Sequence, residues 1–449
     1  MKKNFWKHLM IIGAAVLGTV ALTACGSGNK NNASGGSSAS VAIKDEDKGP
    51  ITIWTTSNTM KLNAEKWAKG ASKKVKVVIV PYADFDTKLK QQVNDPSTAP
   101  DVFIVSRDFV KDWESRSSVI LDLSKSFKKD AATYKKNAFS DIYARSLNEK
   151  GDLVTVTAEY PVGMMFYNRT IAKDILGSDD PDKVTEAMSS VSKWQDVNKK
   201  LQDKYGSKTK LFGTSADTLN MLSQQRTAPY VKDKTFTVDK SISTLFDRAN
   251  MLYKDKMFTS IDDAEAFQAG FNNNAFFIEF LPTWGFSSKV APQLKDKAGA
   301  GKWGVAQPTM SYARGGSFYF ITQSSKHKKS AWDYIKAQTI DTKNLYETQK
   351  SIVGYPSSKV AAKQLVDSDY EEPLLDNQKV FSMYSKQAAV QEKESKDTVT
   401  KYDGAILGFI GDLIKDYGAG NVTKDAALQK LGQQVKSAYP DLTVKYNYK

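Results

Sequence analysis

Between residues 51 and 105 the chain alternates short β-rich runs with polar stretches, and this alternation constrains the fold more than any other feature. Ile51-Thr52-Ile53-Trp54, residues 75–80 and Val102-Phe103-Ile104-Val105 read as strands, with helices around 60–73 and 85–94 between them. The third run is apolar at every position, as a strand buried on both faces requires. Strand–helix–strand–helix–strand at this spacing predicts an α/β fold with a parallel sheet and right-handed crossovers. Ligands of such sheets lie beyond the carboxyl ends of the strands. The residues that follow the strands are therefore the first site candidates: Trp54, Ser57 and Asn58 after the first, Arg107 and Asp108 after the third.

The chain has 449 residues, 41% apolar and 25% charged, enough for two to three domain-equivalents and more than one core. That composition excludes a disordered chain and a polytopic membrane protein. Chemistry is excluded almost as firmly. The single cysteine, Cys25, cannot close an internal disulfide, and the only histidines are His8 and His327. A His-rich metal site or a Ser-His-Asp triad has no material to use, so no cofactor and no metal are expected. Net charge is +14, or +11 without the leader lysines, but the lysines are dispersed among acids. Such a surface serves solubility and general attraction, and no nucleic-acid partner is expected.

Lys2, Lys3 and Lys7 precede an apolar run at 9–22, the charged and hydrophobic regions of a secretion signal. The run is shorter than the ~20 residues of a spanning helix. It ends in Leu22-Thr23-Ala24-Cys25-Gly26, which resembles the lipobox of bacterial lipoproteins. That resemblance implies a signal peptide over 1–24 and a lipidated Cys25 as the mature N-terminus. Two or more acyl chains hold a protein at a membrane where one is marginal. Residues 27–40 are dominated by Gly, Ser, Asn and Ala and read as a flexible tether, with the folded body starting near Gly49-Pro50.

Further along, residues 155–168 read as extended. Ser192 with Gln195 fits a capping box opening a helix with Trp194, Val197, Leu201 and Tyr205 on its apolar stripe and Gly206 as its stop. Helical patterns also cover 242–253, 331–338 and 426–438. Asp179-Asp180-Pro181-Asp182 reads as a turn, and Asp262-Asp263-Ala264-Glu265 as a helix start rather than a calcium loop. Gly299-Ala300-Gly301-Lys302-Trp303 lacks the hydroxyl residue of a P-loop. There is no internal repeat.

In order, several segments resemble family 1 extracellular solute-binding proteins, the carbohydrate-binding lipoproteins of bacterial ABC importers. They are Pro100-Asp101-Val102-Phe103, Leu121-Asp122-Leu123, residues 163–168 with Gly163 and Tyr167-Asn168, and Phe267-Gln268-Ala269-Gly270 with Ala275-Phe276-Phe277-Ile278 and Trp284. Trp303-Gly304-Val305-Ala306-Gln307-Pro308, Gly315-Gly316-Ser317-Phe318-Tyr319, the segment 325–335 with Ala331-Trp332, and Gly354-Tyr355-Pro356-Ser357 continue the series. The chain departs from the pattern at Asn272-Asn273-Asn274 and at Glu279. The resemblance implies a two-lobed, periplasmic-binding-protein-like α/β fold of type II, with ligand in the cleft. Lobe 1 would comprise 50–160 plus 309–365, and lobe 2 161–308 plus 366–449. It further implies a monomeric binding subunit that breaks no bond. Such a subunit would be lipid-anchored on the outer face of the cytoplasmic membrane of a Gram-positive bacterium and would hand a carbohydrate to ABC permease subunits.

A sugar presents hydroxyls and an apolar C–H face, so its site needs aromatic platforms and converging polar groups. Trp54, Tyr160, Trp284 and Tyr319 are the candidate platforms; Trp67, Trp113, Trp194 and Trp332 read as core. Arg107, Asp108 and Glu279 are candidate hydroxyl grips, and Arg314 could meet a carboxylate or sulfate on an acidic sugar. Gly316 would permit close backbone approach, and Ser317 is a further polar candidate. Two other readings stay open: a lipid-anchored glycoside hydrolase, for which Glu279 with Asp108 is the available carboxylate pair, and a binding protein for a peptide or polyamine.

Overall fold

The computed structural model describes residues 43–259, 264–395 and 398–449. The leader, the lipidation residue Cys25, the tether at 27–40, and Asp262 and Asp263 lie outside the described residues. Among the described residues no helix is long and apolar enough to cross a membrane.

The strands are β1 (Ile51–Thr55), β2 (Val75–Ile79), β3 (Val102–Ser106), β4 (Val156–Thr157), β5 (Gly163–Asn168), β6 (Lys210–Phe212), β7 (Val231–Lys232), β8 (Thr235–Asp239), β9 (Phe276–Pro282), β10 (Trp303–Ala306), β11 (Ser317–Ile321) and β12 (Thr443–Asn447). A first sheet has the order β2-β1-β3-β11-β4. Its first three strands are parallel, joined through helices Asn58–Gly70 and Tyr82–Gln92 as the sequence pattern predicts, whereas β11 runs antiparallel to β3 and β4. A second sheet has the order β10-β5-β9-β6, and a small third sheet β12-β8-β7 pairs the C-terminal strand parallel to β8.

Buried Asp101 organises the first sheet. Its carboxylate accepts from the Thr52 amide at 2.8 Å and the Ser325 hydroxyl at 2.6 Å, and it meets Nδ1 of His327 at 3.1 Å. One side chain thus ties β1, the start of β3 and the entry to helix Lys328–Thr339 together, which is the physical content of the Pro100-Asp101-Val102 motif. The segment ahead of β1 is clipped to the same place. Asp45 accepts from the Ser330 amide at 2.9 Å and from the Ser330 hydroxyl, while Asp47 bonds Nε2 of His327. Burial opposes the imidazolium, but the bonds and field of Asp101 and then Asp47 outweigh it and raise the His327 pKa.

Two local expectations need correction. The helix at Val191–Tyr205 is capped by Ser190, which accepts from the Lys193 amide at 3.3 Å, and not by Ser192. Val191 packs against the core and is drawn into the first turn. Asp180 is no mere turn residue: its side chain caps helix Pro181–Ala187, with Pro181 where its missing N–H costs nothing. Gly206 ends the longer helix at φ 64°, as predicted.

The chain passes between the first and second sheets at 158–162, which leaves β4 and enters β5, and returns between β10 and β11. The two passes are bonded together. Gly163 N donates to Tyr312 O at 2.7 Å, Arg314 N to Pro161 O at 3.2 Å, and Val162 bridges Ala313. On the other side Tyr160 N donates to Tyr355 O at 2.8 Å and Ser357 N to Ala158 O at 3.0 Å. One apolar cluster runs through these crossings, from Ile51 and Ile53 past Tyr160 and Val162 to Leu281 and Trp303. Trp113, Trp194 and Trp332 are fully buried, their indoles bonded to Asp86, Met188 O and Asp130, and Trp67 packs partly buried against the first core.

At the crossing, the Tyr312 ring lies flat against Gly163: a Cβ there would sit 2.0 Å from the ring. Tyr312 is itself buried and donates to Met164 O at 3.1 Å, so it has nowhere to retreat. Gly163→Ala should therefore cost about 1–3 kcal/mol, seen as a lower urea midpoint with unchanged slope.

Candidate functional site

A cavity of about 410 Å³ opens at the carboxyl end of β3. Arg107 and Asp108, immediately after the strand, form one wall, with Arg145 beside them. The return crossing contributes Ser311, Ala313 and Arg314. Helix Ser215–Ser223 and the turn after it bring Asn220, Gln224, Gln225 and Arg226; the ends of helices Val380–Glu394 and Asp403–Gly418 close it with Gln391, Glu394 and Asp403.

The amides are held in fixed poses. Gln224 accepts from Ala313 N at 3.1 Å and donates to Asn220 Oδ1 at 2.8 Å. Gln225 donates to Ser311 O at 3.0 Å, and the Ser311 hydroxyl donates to Gln391 Oε1 at 2.7 Å. An amide carries two donors and two acceptor lone pairs, so these bonds fix orientation while leaving capacity for ligand.

Two buried acids behind the cavity position the helix that carries Asn220. Glu279 accepts from Thr214 N at 2.9 Å and Thr214 Oγ1 at 2.7 Å, at the entry to helix Ser215–Ser223. Burial pushes its carboxyl up to about 7, against the pull of Thr214 and Lys289. Asp217, on the first turn, pairs with Lys289 at 3.1 Å and with Arg314. Arg314 is thereby bound to this helix from the crossing.

The arginines of the cavity are not equivalent. Arg226 pairs with Asp403, donates to Thr398 O at 3.0 Å and lies over the Tyr230 ring at 3.8 Å. Arg314 has Asp217. Arg107 and Arg145, 8% and 5% exposed, have no ion pair within 4.0 Å among the described residues, and Arg107 Nη1 and Arg145 Nε and Nη1 are buried without a hydrogen-bond partner. Burial first, and then repulsion from Arg145, pulls Arg107 down to about 9, with Asp141, Tyr160 and Asp108 offsetting part of the cost.

Of the residues singled out from sequence, the structure gathers Arg107, Asp108 and Arg314 at the cavity and the others elsewhere. Trp54 is half-buried against the cluster containing Phe85 and Trp113. Ser57 caps helix Asn58–Gly70 through the Met60 amide, and Asn58 is the exposed first residue of that helix. Tyr160 and Tyr319 are buried; the Tyr319 hydroxyl meets Met60 Sδ at 3.0 Å. Trp284 is half-buried and donates to Arg314 O at 2.9 Å. Gly315 and Gly316 take φ 70° and 90°, and a Cβ on Gly315 would lie 2.9 Å from the Trp284 indole nitrogen. This turn seats Trp284 and leads through Ser317 into β11. No aromatic ring lines the cavity among the described residues. Asn220, Gln224, Gln225 and Gln391 escaped sequence reasoning because isolated amides on polar helices carry no local signal; Arg145 did so because it lies far from any strand end.

Glu279 gives the site a pH signature. Its folded pKa exceeds the ordinary 4.5, so the folded state holds the proton more tightly than the unfolded state. The associated stability is complete below about 4.5 and lost as pH rises through about 7. Relative to Glu279→Gln, the wild type should lose about 3 kcal/mol between those limits. Urea unfolding of both proteins across that range measures it; parallel profiles would show that the carboxyl is not held neutral.

The sequence has no match among curated proteins. The fold does have close company. An extracellular solute-binding protein of family 1 superposes with a TM-score of 0.71 at 16% identity, covering 87% of this chain and 99% of that one. The GacH receptor of Streptomyces glaucescens GLA.O, solved unliganded and with acarbose, gives 0.68 at 20% identity, covering 88% and 100%. The ABC-transporter-associated binding protein of B. animalis subsp. lactis Bl-04, in complex with beta-1,6-galactobiose, gives 0.69 at 17% identity, covering 88% and 99%. The architecture is thus the two-lobed α/β fold of periplasmic binding proteins. The hydrolase reading fails on two counts: Glu279 does not line the cavity beside Asp108, and the matching family is one of binding proteins. The profile of the bacterial extracellular solute-binding proteins matches residues 54–339, and the chain belongs to that family.

Proposed function

We propose that this protein captures an oligosaccharide in the cavity between Asp108 and Gln391 and delivers it, chemically unchanged, to the permease of an ABC importer. The observation that carries this reading is the cluster of fixed amides, Asn220, Gln224, Gln225 and Gln391, converging with Asp108 and Ser311 on one cavity. Carboxylates and amides of this kind match vicinal hydroxyls, and the volume falls within the ~300–1,000 Å³ of small-molecule sites. The sugars named with the structural neighbours, acarbose and beta-1,6-galactobiose, support the same class. A polyamine suits the cavity poorly, because five cationic side chains line it against three acids.

In this reading Arg107, Asp108 and Arg314 serve at the site. The crossings at 158–163 and 311–314 form the hinge between lobe 1 (50–160 plus 309–365) and lobe 2 (161–308 plus 366–449). Ligand touching both lobes selects the closed state, which the permease recognises. Lipid on Cys25 and the tether after it keep the monomeric protein at the outer face of the cytoplasmic membrane, as in a Gram-positive cell.

The test is a calorimetric and thermal-shift screen of the full chain in detergent against oligosaccharides, with scattering to follow closure. A bound saccharide should compact the protein and be recovered intact. Asn220→Ala and Gln391→Ala should each weaken it by about 2- to 10-fold, the range of single neutral hydrogen bonds. A guest recovered cleaved, or binding indifferent to both substitutions, would defeat the proposal.

A further inference from the structure

Arg107 and Arg145 are the one feature of the cavity that a neutral sugar leaves unexplained. Both guanidiniums are more than nine-tenths buried, both line the cavity, and both carry buried N–H groups without an acceptor. The other two arginines there already have carboxylates, Asp403 and Asp217. Burying an unpaired cation is among the costliest arrangements a fold can hold, and removing the acceptor of such a pair leaves a large penalty. The nearby acids do not cancel it. Asp108 is exposed and shared with the Tyr82 hydroxyl at 3.3 Å, and Asp141 faces a second cavity of about 230 Å³, which Arg145 also lines, with neither oxygen bonded to a guanidinium. Burial raises the Asp141 carboxyl, against the pull of Arg107, Tyr160 and Arg145.

We propose that the solute is an acidic saccharide whose oxyanion, a carboxylate, sulfate or phosphate, is gripped between Arg107 and Arg145 while its hydroxyls meet the amide wall. This rests on the saccharide reading above and assigns its charge. A planar guanidinium presents parallel N–H donors that match an oxyanion two at a time, and charge-assisted bonds of this type are the strong ones. The cavity is far larger than a lone anion needs, and among the described residues only its Arg107 end holds buried basic side chains without an ion pair. A sugar carrying one acidic group satisfies both halves.

The experiment compares matched probes on the full chain in detergent: short oligogalacturonides, the same oligosaccharides methyl-esterified, sulfated and phosphorylated oligosaccharides, neutral galacto- and gluco-oligosaccharides, and malonate alone. We expect one acidic series to bind, its neutral counterpart to bind at least about tenfold more weakly, and added salt to weaken the acidic series selectively. Arg107→Gln and Arg145→Gln should each lower affinity for the acidic probe by about 10- to 100-fold. Without ligand, both variants should melt no lower than the wild type, because each sheds an uncompensated buried charge; a structural role would lower the melting temperature instead. Neutral probes binding as tightly as acidic ones would overturn the charge assignment and leave the saccharide reading standing. Malonate binding with no saccharide doing so would overturn the saccharide reading itself. Unaltered acidic affinity in both folded variants would remove the two arginines from the site.

Discussion

The packing of the crossing segments on one another is the constraint from which the rest follows. Tyr312 can lie against the backbone only because position 163 has no side chain, and that contact brings the 311–314 strip within bonding distance of 160–163. Once the strip is placed, Ser311 reaches Gln391, Ala313 reaches Gln224, and Arg314 reaches Asp217. The helices Ser215–Ser223 and Val380–Glu394, two walls of the cavity, are thus registered by one close approach. Interiors packed to crystal-like density transmit such a constraint without slack.

Behind the walls, buried acids do the positioning. Asp101 joins three pieces of chain that lie far apart in sequence, and Glu279 and Asp217 do the same for the helix bearing Asn220. Each is surrounded by donors, as a buried carboxylate must be. Glu279 illustrates how a site residue and its support are confused at the level of sequence. An acid interrupting an aromatic strand reads as a functional group, yet its partners are the amide and hydroxyl of Thr214 rather than the cavity.

The parts of the fold legible in the sequence were those written in local pattern. The β-branched runs gave β1, β2 and β3 and their parallel order; Gly206 ended its helix; Trp194 and Trp332 lay on stripes and are core. Strand-end logic singles out Arg107 and Asp108, which the structure sets on the cavity wall, since a carboxyl-terminal position is local information. It did not find Arg145 or the amides, whose convergence depends on how distant helices pack. Tyr160, in a crossing segment, and Tyr319, in the middle of β11, turn inward instead, where their rings fill the core. The capping of Val191–Tyr205 shifts by two residues because a half-buried valine that packs on the core, invisible to a motif, outweighs the spacing of Ser192 and Gln195.

Composition puts the edge of the folded body at Gly49-Pro50, where the Gly/Ser-rich stretch gives way to β1. Asp45 and Asp47 lie on the far side of that edge, yet they bond the Ser330 amide and His327, 285 and 280 residues away in sequence. A chain trimmed at the compositional boundary would strip the helix that follows His327 of the Asp45 cap on Ser330 and leave His327 with Asp101 but without Asp47. The residues just ahead of that compositional edge are therefore structural members of the folded body, held to it by these two acids.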